Sequence, residues 1–233
     1  LLEIVTAPCM FSSEEAISYL KKLHQLVQFL GICDGNMQEG SFRCDVNLSL
    51  KPQGSSVLGT RTELKNLNSF RFIEKAIAYE QARHQDILEN NQQVIQETRL
   101  YNPDTNSTHA MRGKENENDY RYFPDPDLLP IQVTRFCIAE IKNELPPLPD
   151  KIRSELKNIP SLNEDDIDFI LSSPALYQFY KAIKSQSKAA EKMISNWLKG
   201  PYSAALNEAH LSFDTTPISA KTMALLLNKL HDG

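Results

Sequence analysis

Arg43, Asp45 and Asn47 alternate with Phe42, Cys44, Val46, Leu48 and Leu50, and a few residues later Arg61, Glu63 and Lys65 alternate with Thr60, Thr62 and Leu64. A period of two puts the charged set of each run on one face of a strand and the apolar set on the other. The connector Lys51–Val57 is rich in turn formers and short enough for an antiparallel hairpin. Pairing then gathers two arginines, a lysine, an aspartate and a glutamate on one surface. Such cations suit the neutralisation of phosphate oxygens, and such carboxylates suit orienting a lysine or holding a hard cation. A solvated sheet face laced with cross-strand ion pairs is the plainer reading of the same pattern. Asn47, Asn66 and Asn68 are poor strand formers, and their clustering favours a site.

Other elements must position this face. Ser12 and Glu15 form a capping box before Ala16, Ile17, Leu20, Leu23, Val27 and Leu30, which recur at helical spacing until Gly31. His24 lies among these apolar positions, with no second ligand at i±4, and reads as a packed histidine. Asn68 or Ser69 caps a second helix whose stripe is Ile73, Ala76, Ile77, Ile87 and Leu88, ending at Asn90-Asn91. Val94–Tyr101 and Thr108–Arg112 form a further strand pair around Asn102–Asn106, and Phe123–Pro130 runs extended. From Thr134 the period is helical. Pro146–Pro149 marks a domain boundary, and helices follow near 150–158, 164–172, 175–185, 187–199 and 219–231, with Trp197 in their core. The expected fold is α+β: a mostly antiparallel sheet with flanking helices over residues 1–145, then an all-α domain over 146–233.

The chain has 233 residues and a net charge of −5. Residues 1–145 carry 15 Lys+Arg against 20 Asp+Glu, and residues 146–233 carry 10 against 10, so neither part is a basic clamp for nucleic-acid backbones. Cys9, Cys33, Cys44 and Cys137 form no CxxC pair, which argues against a zinc site or a disulfide framework. No signal peptide is visible in this sequence, and no apolar run reaches membrane-spanning length. A cytoplasmic protein is expected. No GxxxxGK[ST] loop is present and glycines number only eight, so a nucleotide site here is not a P-loop.

The blocks Asp34–Asp45, Gly59–Phe70, Gln96–Arg99 and Asp119–Asp127, with the opening Leu1–Val5, occur in the order and spacing of one family. They resemble the B subunits of the heterotrimeric aspartyl/glutamyl-tRNA amidotransferases. The likeness is strong to about residue 130 and continues through Ser195-Asn196-Trp197-Leu198. It implies a cradle-type catalytic domain followed by a helical domain. The implied reaction uses ATP and Mg²⁺ to phosphorylate the side-chain carboxylate of misacylated Glu-tRNA(Gln) or Asp-tRNA(Asn). Ammonia from a glutaminase A subunit then displaces the phosphate, and a small C subunit completes the trimer. The resemblance also implies an internal fragment lacking both ends, an upstream acidic segment and a C-terminal tail domain, and inactive alone.

Roles follow as expectations. Arg43, Glu63 and Lys65 are the leading catalytic candidates. Glu39 shares the metal or orients ammonia, or is simply solvated. Glu3 is a metal ligand or a structural ion-pair partner. Asp45, Asn47 and Asn66 contact substrate, or Asp45 does no more than fix Arg43. Tyr120, Arg121 and Tyr122 stack on the unpaired tRNA end or pack a proline-rich loop. Without the resemblance, a non-catalytic RNA- or partner-binding module with a helical scaffold accounts for the same residues.

Overall fold

Cys44, Val46 and Leu48 turn one side of a short strand, Cys44–Leu48 (β1), toward apolar neighbours, while Asp45 and Asn47 face outward. The computed structural model describes residues 2–111 and 127–232. The second strand, Thr62–Leu67 (β2), pairs antiparallel with β1. Gly59 closes the connection tightly, because a Cβ there would meet the Leu50 carbonyl oxygen at 1.9 Å. Ser69 caps a twenty-residue helix, Phe70–Glu89 (α2), accepting from the Phe72 N–H, and α2 carries the chain across the sheet. The third strand, Glu97–Asn102 (β3), therefore returns parallel to β2, and Ser107–Ala110 (β4) closes the far edge antiparallel. The order is β1-β2-β3-β4. The sheet is mixed, because a helix between β2 and β3 permits the crossover that a parallel pair needs.

The α2 stripe departs from the expected one. Ile73, Ala76 and Ile77 are buried with Leu64, Leu67 and Tyr101, but the stripe then continues through Glu80 and His84. Leu88 is 46% exposed. The helical period explains this: Ile73, Ile77, Glu80 and His84 share one face with the half-buried Ile87, and Leu88 turns away from it.

Glu80 has no exposed surface, so its charge is held entirely by protein donors. The Thr62 hydroxyl donates to Oε1 at 3.0 Å and the Thr108 hydroxyl to Oε2 at 2.8 Å. The Arg83 guanidinium donates through Nε at 2.9 Å and through Nη2, and Arg99 Nε stands 3.5 Å from Oε2. Arg99 also bonds Glu97 at 2.5 Å. His84 Nε2 lies 3.1 Å from Thr62 Oγ1 and 3.3 Å from Glu80 Oε1, and its Nδ1 is buried with no hydrogen-bond partner among the described residues. Burial alone would push the Glu80 carboxyl up. The hydrogen bonds from His84, Arg83 and Thr108 and the Arg83 charge outweigh it and hold the group well below the usual carboxylate range.

The contacts divide the chain into two units. The first holds residues up to His24 and Cys33–Ile138; the second holds Gln25–Ile32 and everything from Ala139. The first helix, Ser13–Phe29 (α1), thus contributes Ala16, Ile17 and Leu20 to the sheet's apolar cluster and its final turn to the second unit. Residues 2–11 form no strand. After Arg135–Glu144 (α3), the second unit is helical: Pro149–Lys157 (α4), Glu164–Ile170 (α5), Pro174–Lys184 (α6), Glu191–Trp197 (α7), a π-turn at Leu198–Tyr202, Ser203–Glu208 (α8) and Ala220–Asp232 (α9). Its core comprises Ile152, Ile170, Leu176, Ile183, Ile194 and Leu227, with Trp197 partly buried against it. Asn163 and Asp166 form a reciprocal capping box at α5, and Asp166 also accepts from Lys192 and Ser195. No helix among the described residues is long and apolar enough to cross a membrane.

Two outcomes test this account. Glu80→Gln is expected to cost about 3 kcal/mol at neutral pH by leaving buried donors and cations uncompensated. Because the folded pKa lies below the unfolded value of about 4.3, the deficit is full above that value and shrinks as pH falls through the native pKa. Denaturant titrations from pH 3 to 8 read it directly. Gly59→Ala should destabilise by about 1–3 kcal/mol, since the new methyl overlaps backbone that cannot swing aside; a calorimetric scan of the variant checks this.

Candidate functional site

The outward positions of β1 and β2 build a connected charged row. Lys65 Nζ lies 2.7 Å from Asp45 Oδ2 and 3.0 Å from Glu63 Oε1. The Thr98 hydroxyl on β3 donates to Glu63 Oε2 at 2.8 Å. The row Asp45–Lys65–Glu63–Thr98 therefore spans three strands. Burial would lift the Glu63 carboxyl, but the hydrogen bonds from Lys65 and Thr98 and the charges of Lys65 and Arg61 hold it below its ordinary value. Burial would lower the Lys65 ammonium, and the carboxylates of Asp45 and Glu63 instead hold its pKa up. Both groups are ionised at neutral pH.

A bulge shapes the end of this row. Cys44 pairs with Leu67 and Val46 with Leu64, so Lys65 and Asn66 together oppose Asp45. Asn66 takes the extra position with φ +67°, a left-handed conformation that asparagine tolerates better than most residues. Its Nδ2 donates to the Tyr101 carbonyl at 2.9 Å. The added residue flips the strand's alternation, so Leu67 is buried although it shares the parity of Glu63 and Lys65. Bulges re-aim side chains in this way, and they concentrate beside functional sites.

Beside the bulge lies a depression of about 190 Å³, lined by Arg43, Asp45, Lys65, Asn66, Asn68 and Phe42, among others. Arg43 makes no hydrogen bond or ion pair with any described residue. Its guanidinium is a cation with unused donors. The loop before it is fixed by its own backbone: Ser41 and Phe42 N–H groups donate to the Asn36 carbonyl at 2.9 and 3.3 Å, and the Asn36 side chain accepts from Gln38 and Glu39. Gly40 supplies the φ of +81° that turns the chain toward Arg43. His24 braces this loop through Gly35 O at 2.8 Å and edge contacts with Phe42 and Phe70.

The structure thus brings Arg43, Asp45, Lys65 and Asn66 together, with Glu63 attached through Lys65. It corrects one role: Asp45 pairs with Lys65, not Arg43, because the bulge sets Lys65 opposite it. Asn47 pairs across the sheet with Glu63 and points outward. Glu39 is exposed on the loop and does not line the depression. Glu3 is exposed in the irregular opening segment. Tyr120, Arg121 and Tyr122 lie outside the described residues. No three His, Cys, Asp or Glu side chains converge as a metal shell among the described residues. Thr98 and the Glu80 cluster are not visible from sequence pattern. A signal for Thr98 does exist: a long helix between two strands implies parallel pairing, which sets β3 beside β2.

The family described as the GatB/GatE catalytic domain matches residues 1–139. The chain belongs to that family. The B subunit of an aspartyl/glutamyl-tRNA(Asn/Gln) amidotransferase from Legionella pneumophila (strain Philadelphia 1) is 75% identical over 232 residues, covering 100% of this chain and 49% of the relative. The B subunit of the same name from Nitrosospira multiformis is 49% identical, covering 100% of this chain and 47% of the relative, and that from Vesicomyosocius okutanii is 47% identical, covering 100% and 49%. The chain spans about half the length of the curated relatives it matches. The GatB/GatE match includes the whole charged row and the bulge, and it ends beside the division at Ile138/Ala139.

Lys65→Met removes the cation between two carboxylates of this GatB/GatE domain. The Glu63 carboxyl should then titrate at higher pH, since the contact that favoured its ionised form is gone. Carbon-13 carboxylate titration of wild type and variant measures the change; an unmoved Glu63 would show that the pair is not formed in solution.

Proposed function

We propose that this chain is part of the B subunit of a tRNA-dependent amidotransferase, and that the charged face takes part in activating a carboxylate on aminoacyl-tRNA. The reading is supported by membership of the GatB/GatE catalytic-domain family, and it is carried by the depression in which unpartnered Arg43 stands beside Lys65. The substrate is Glu-tRNA(Gln) or Asp-tRNA(Asn). A carboxylate is a poor electrophile, so its oxygen first attacks the γ-phosphorus of ATP, ADP leaves, and ammonia then adds to the carbonyl carbon while phosphate departs. Ammonia comes from a glutaminase A subunit, and a small C subunit belongs to the same assembly.

The residues present fit the phosphate portion of ATP. Arg43 offers a free planar fork for phosphate oxygens, and Lys65 is a fixed positive charge beside it. Charge neutralisation and positioning are the main demands of phosphoryl transfer. Glu63 orients Lys65, Asp45 fixes its far side, and Asn66 presents a rigid bulge at the edge of the depression. No metal shell is complete among the described residues; Glu3 and Glu39 are the carboxylates proposed to face Mg²⁺, which would neutralise phosphate charge when bound. Asn47, Tyr120, Arg121 and Tyr122 are proposed substrate contacts. A non-catalytic binding module is the competing reading, and the saturation of Lys65 by two carboxylates is the observation in its favour.

In the full-length protein within its complex, Glu63→Gln and Lys65→Met are each expected to lower formation of phosphorylated aminoacyl-tRNA by at least about 100-fold. Glutamine hydrolysis by the A subunit should persist. Transfer of labelled γ-phosphate and release of glutamate from glutamine, assayed separately, decide the matter. Normal phosphorylation in both variants would make the face structural.

A further inference from the structure

Thr98 stands where two networks meet. Its hydroxyl reaches the charged face and bonds Glu63 Oε2 at 2.8 Å, while Lys65 holds the other oxygen, Oε1, at 3.0 Å. Both carboxylate oxygens are thereby assigned, one from the same strand and one from the next. Without the Thr98 bond, rotation about the last side-chain torsion of Glu63 would exchange the two oxygens, because that torsion is broad. The β-branched Thr98 is stiff at χ1, so it delivers its donor from a fixed direction.

The neighbours of Thr98 fix the strand that carries it. Glu97 and Arg99 point to the opposite face, where Arg99 bonds Glu97 at 2.5 Å, Thr108 Oγ1 at 2.8 Å and Thr108 O at 2.9 Å. The wholly buried Glu80 carboxylate gathers Thr62 of β2, Arg99 of β3 and Thr108 of β4. One side chain of α2 thus ties together the three strands whose register sets Glu63 opposite Thr98. Thr62 is the residue next to Glu63 and pairs with Glu97, next to Thr98. A slip of β3 would break bonds on both faces at once.

From this geometry we infer that Thr98 is a positioning residue of the charged face: its hydroxyl holds the Glu63 carboxylate in the conformer that engages Lys65, on a strand whose place is fixed from the other side by Glu80. It touches neither tRNA nor nucleotide, and acts through Glu63. Its effect on the reaction rests on the carboxylate-activation reading given above, whereas the Thr98–Glu63 bond itself does not.

The test uses the full-length protein in its complex, with Thr98→Val, which keeps the shape and removes the donor, Thr98→Ser, which keeps the donor, and Glu63→Gln alongside. Carbon-13 carboxylate titration, with the Glu63 signal assigned by its loss in Glu63→Gln, should show Glu63 titrating at higher pH in Thr98→Val and unmoved in Thr98→Ser. The phosphorylation step should fall about tenfold in kcat for Thr98→Val, with KM for ATP unchanged and the acidic limb of its pH profile moved upward, and Thr98→Ser should restore it. An unmoved Glu63 titration in Thr98→Val overturns the positioning role whatever the activity. If Glu63 shifts as expected but Glu63→Gln phosphorylates normally, the positioning bond stands and the catalytic reading of the face falls. A loss of rate in Thr98→Ser equal to that in Thr98→Val would assign the effect to packing and overturn the proposal.

Discussion

A carboxylate removed from water must take its whole solvation from the protein, and in the first unit that requirement falls on Glu80. The partners it recruits come from four elements: Thr62 from β2, Arg99 from β3, Thr108 from β4, and Arg83 and His84 from its own helix. An apolar residue at that position would satisfy α2 as well in terms of burial, but would accept any sliding of the strands beneath it. A charge does not, because every displaced donor leaves a buried polar atom unpaired at a cost of about 1–3 kcal/mol. The charge therefore contributes specificity of register more than net stability.

Register matters because the outer face is assembled from three strands. Asp45, Lys65, Glu63 and Thr98 meet only if β1, β2 and β3 hold one alignment, and a one-residue slip sends each to the wrong side. The bulge at Asn66 reinforces this from the edge. It lets Lys65 point outward and Leu67 point inward from the same short strand, so a polar row and an apolar anchor coexist within three residues. Both faces of the sheet thus carry ordered polar groups, unlike the simple apolar-in, polar-out division of most half-buried sheets.

Much of this was legible from spacing. The alternation through Phe42–Leu50 and Thr60–Lys65 gave the outward set correctly, and turn chemistry at Lys51–Val57 and Asn102–Asn106 gave the antiparallel pairs. Period, caps and prolines gave the helices α4, α5, α6 and α9 of the second unit, whereas the expected 187–199 helix begins only at Glu191 and runs on through the π-turn into α8, which was not expected. The misses have physical causes. Glu80 and His84 sit at core-facing positions of α2, but a charged residue on a buried stripe reads as a boundary unless its partners are known, and those partners lie on three strands. The Asp45–Lys65 pairing depended on a bulge, and although Asn66 was marked as an awkward strand residue, its φ is not encoded by residue type alone. The role of Thr98 depended on parallel pairing across α2, which strand alternation does not reveal.

That crossover also orders events during folding. The Lys65–Asp45 contact closes a separation of 20 residues, and the Thr98–Glu63 contact one of 35. The difference in closure entropy for flexible chains is only about 0.5 kcal/mol, yet the second contact forms only once β3 has crossed back beside β2. A hairpin closes in about 1–10 μs and a helix of this length forms within about 1 μs, so local pieces precede the parallel pairing that joins them. The charged face is then expected to be completed late, after α2 has docked and Glu80 has found its donors. A nascent chain would hold the Lys65 pairs with Asp45 and Glu63 from hairpin closure but leave the second Glu63 oxygen to water until Thr98 arrives, so the charged face would mature together with the core that supports it.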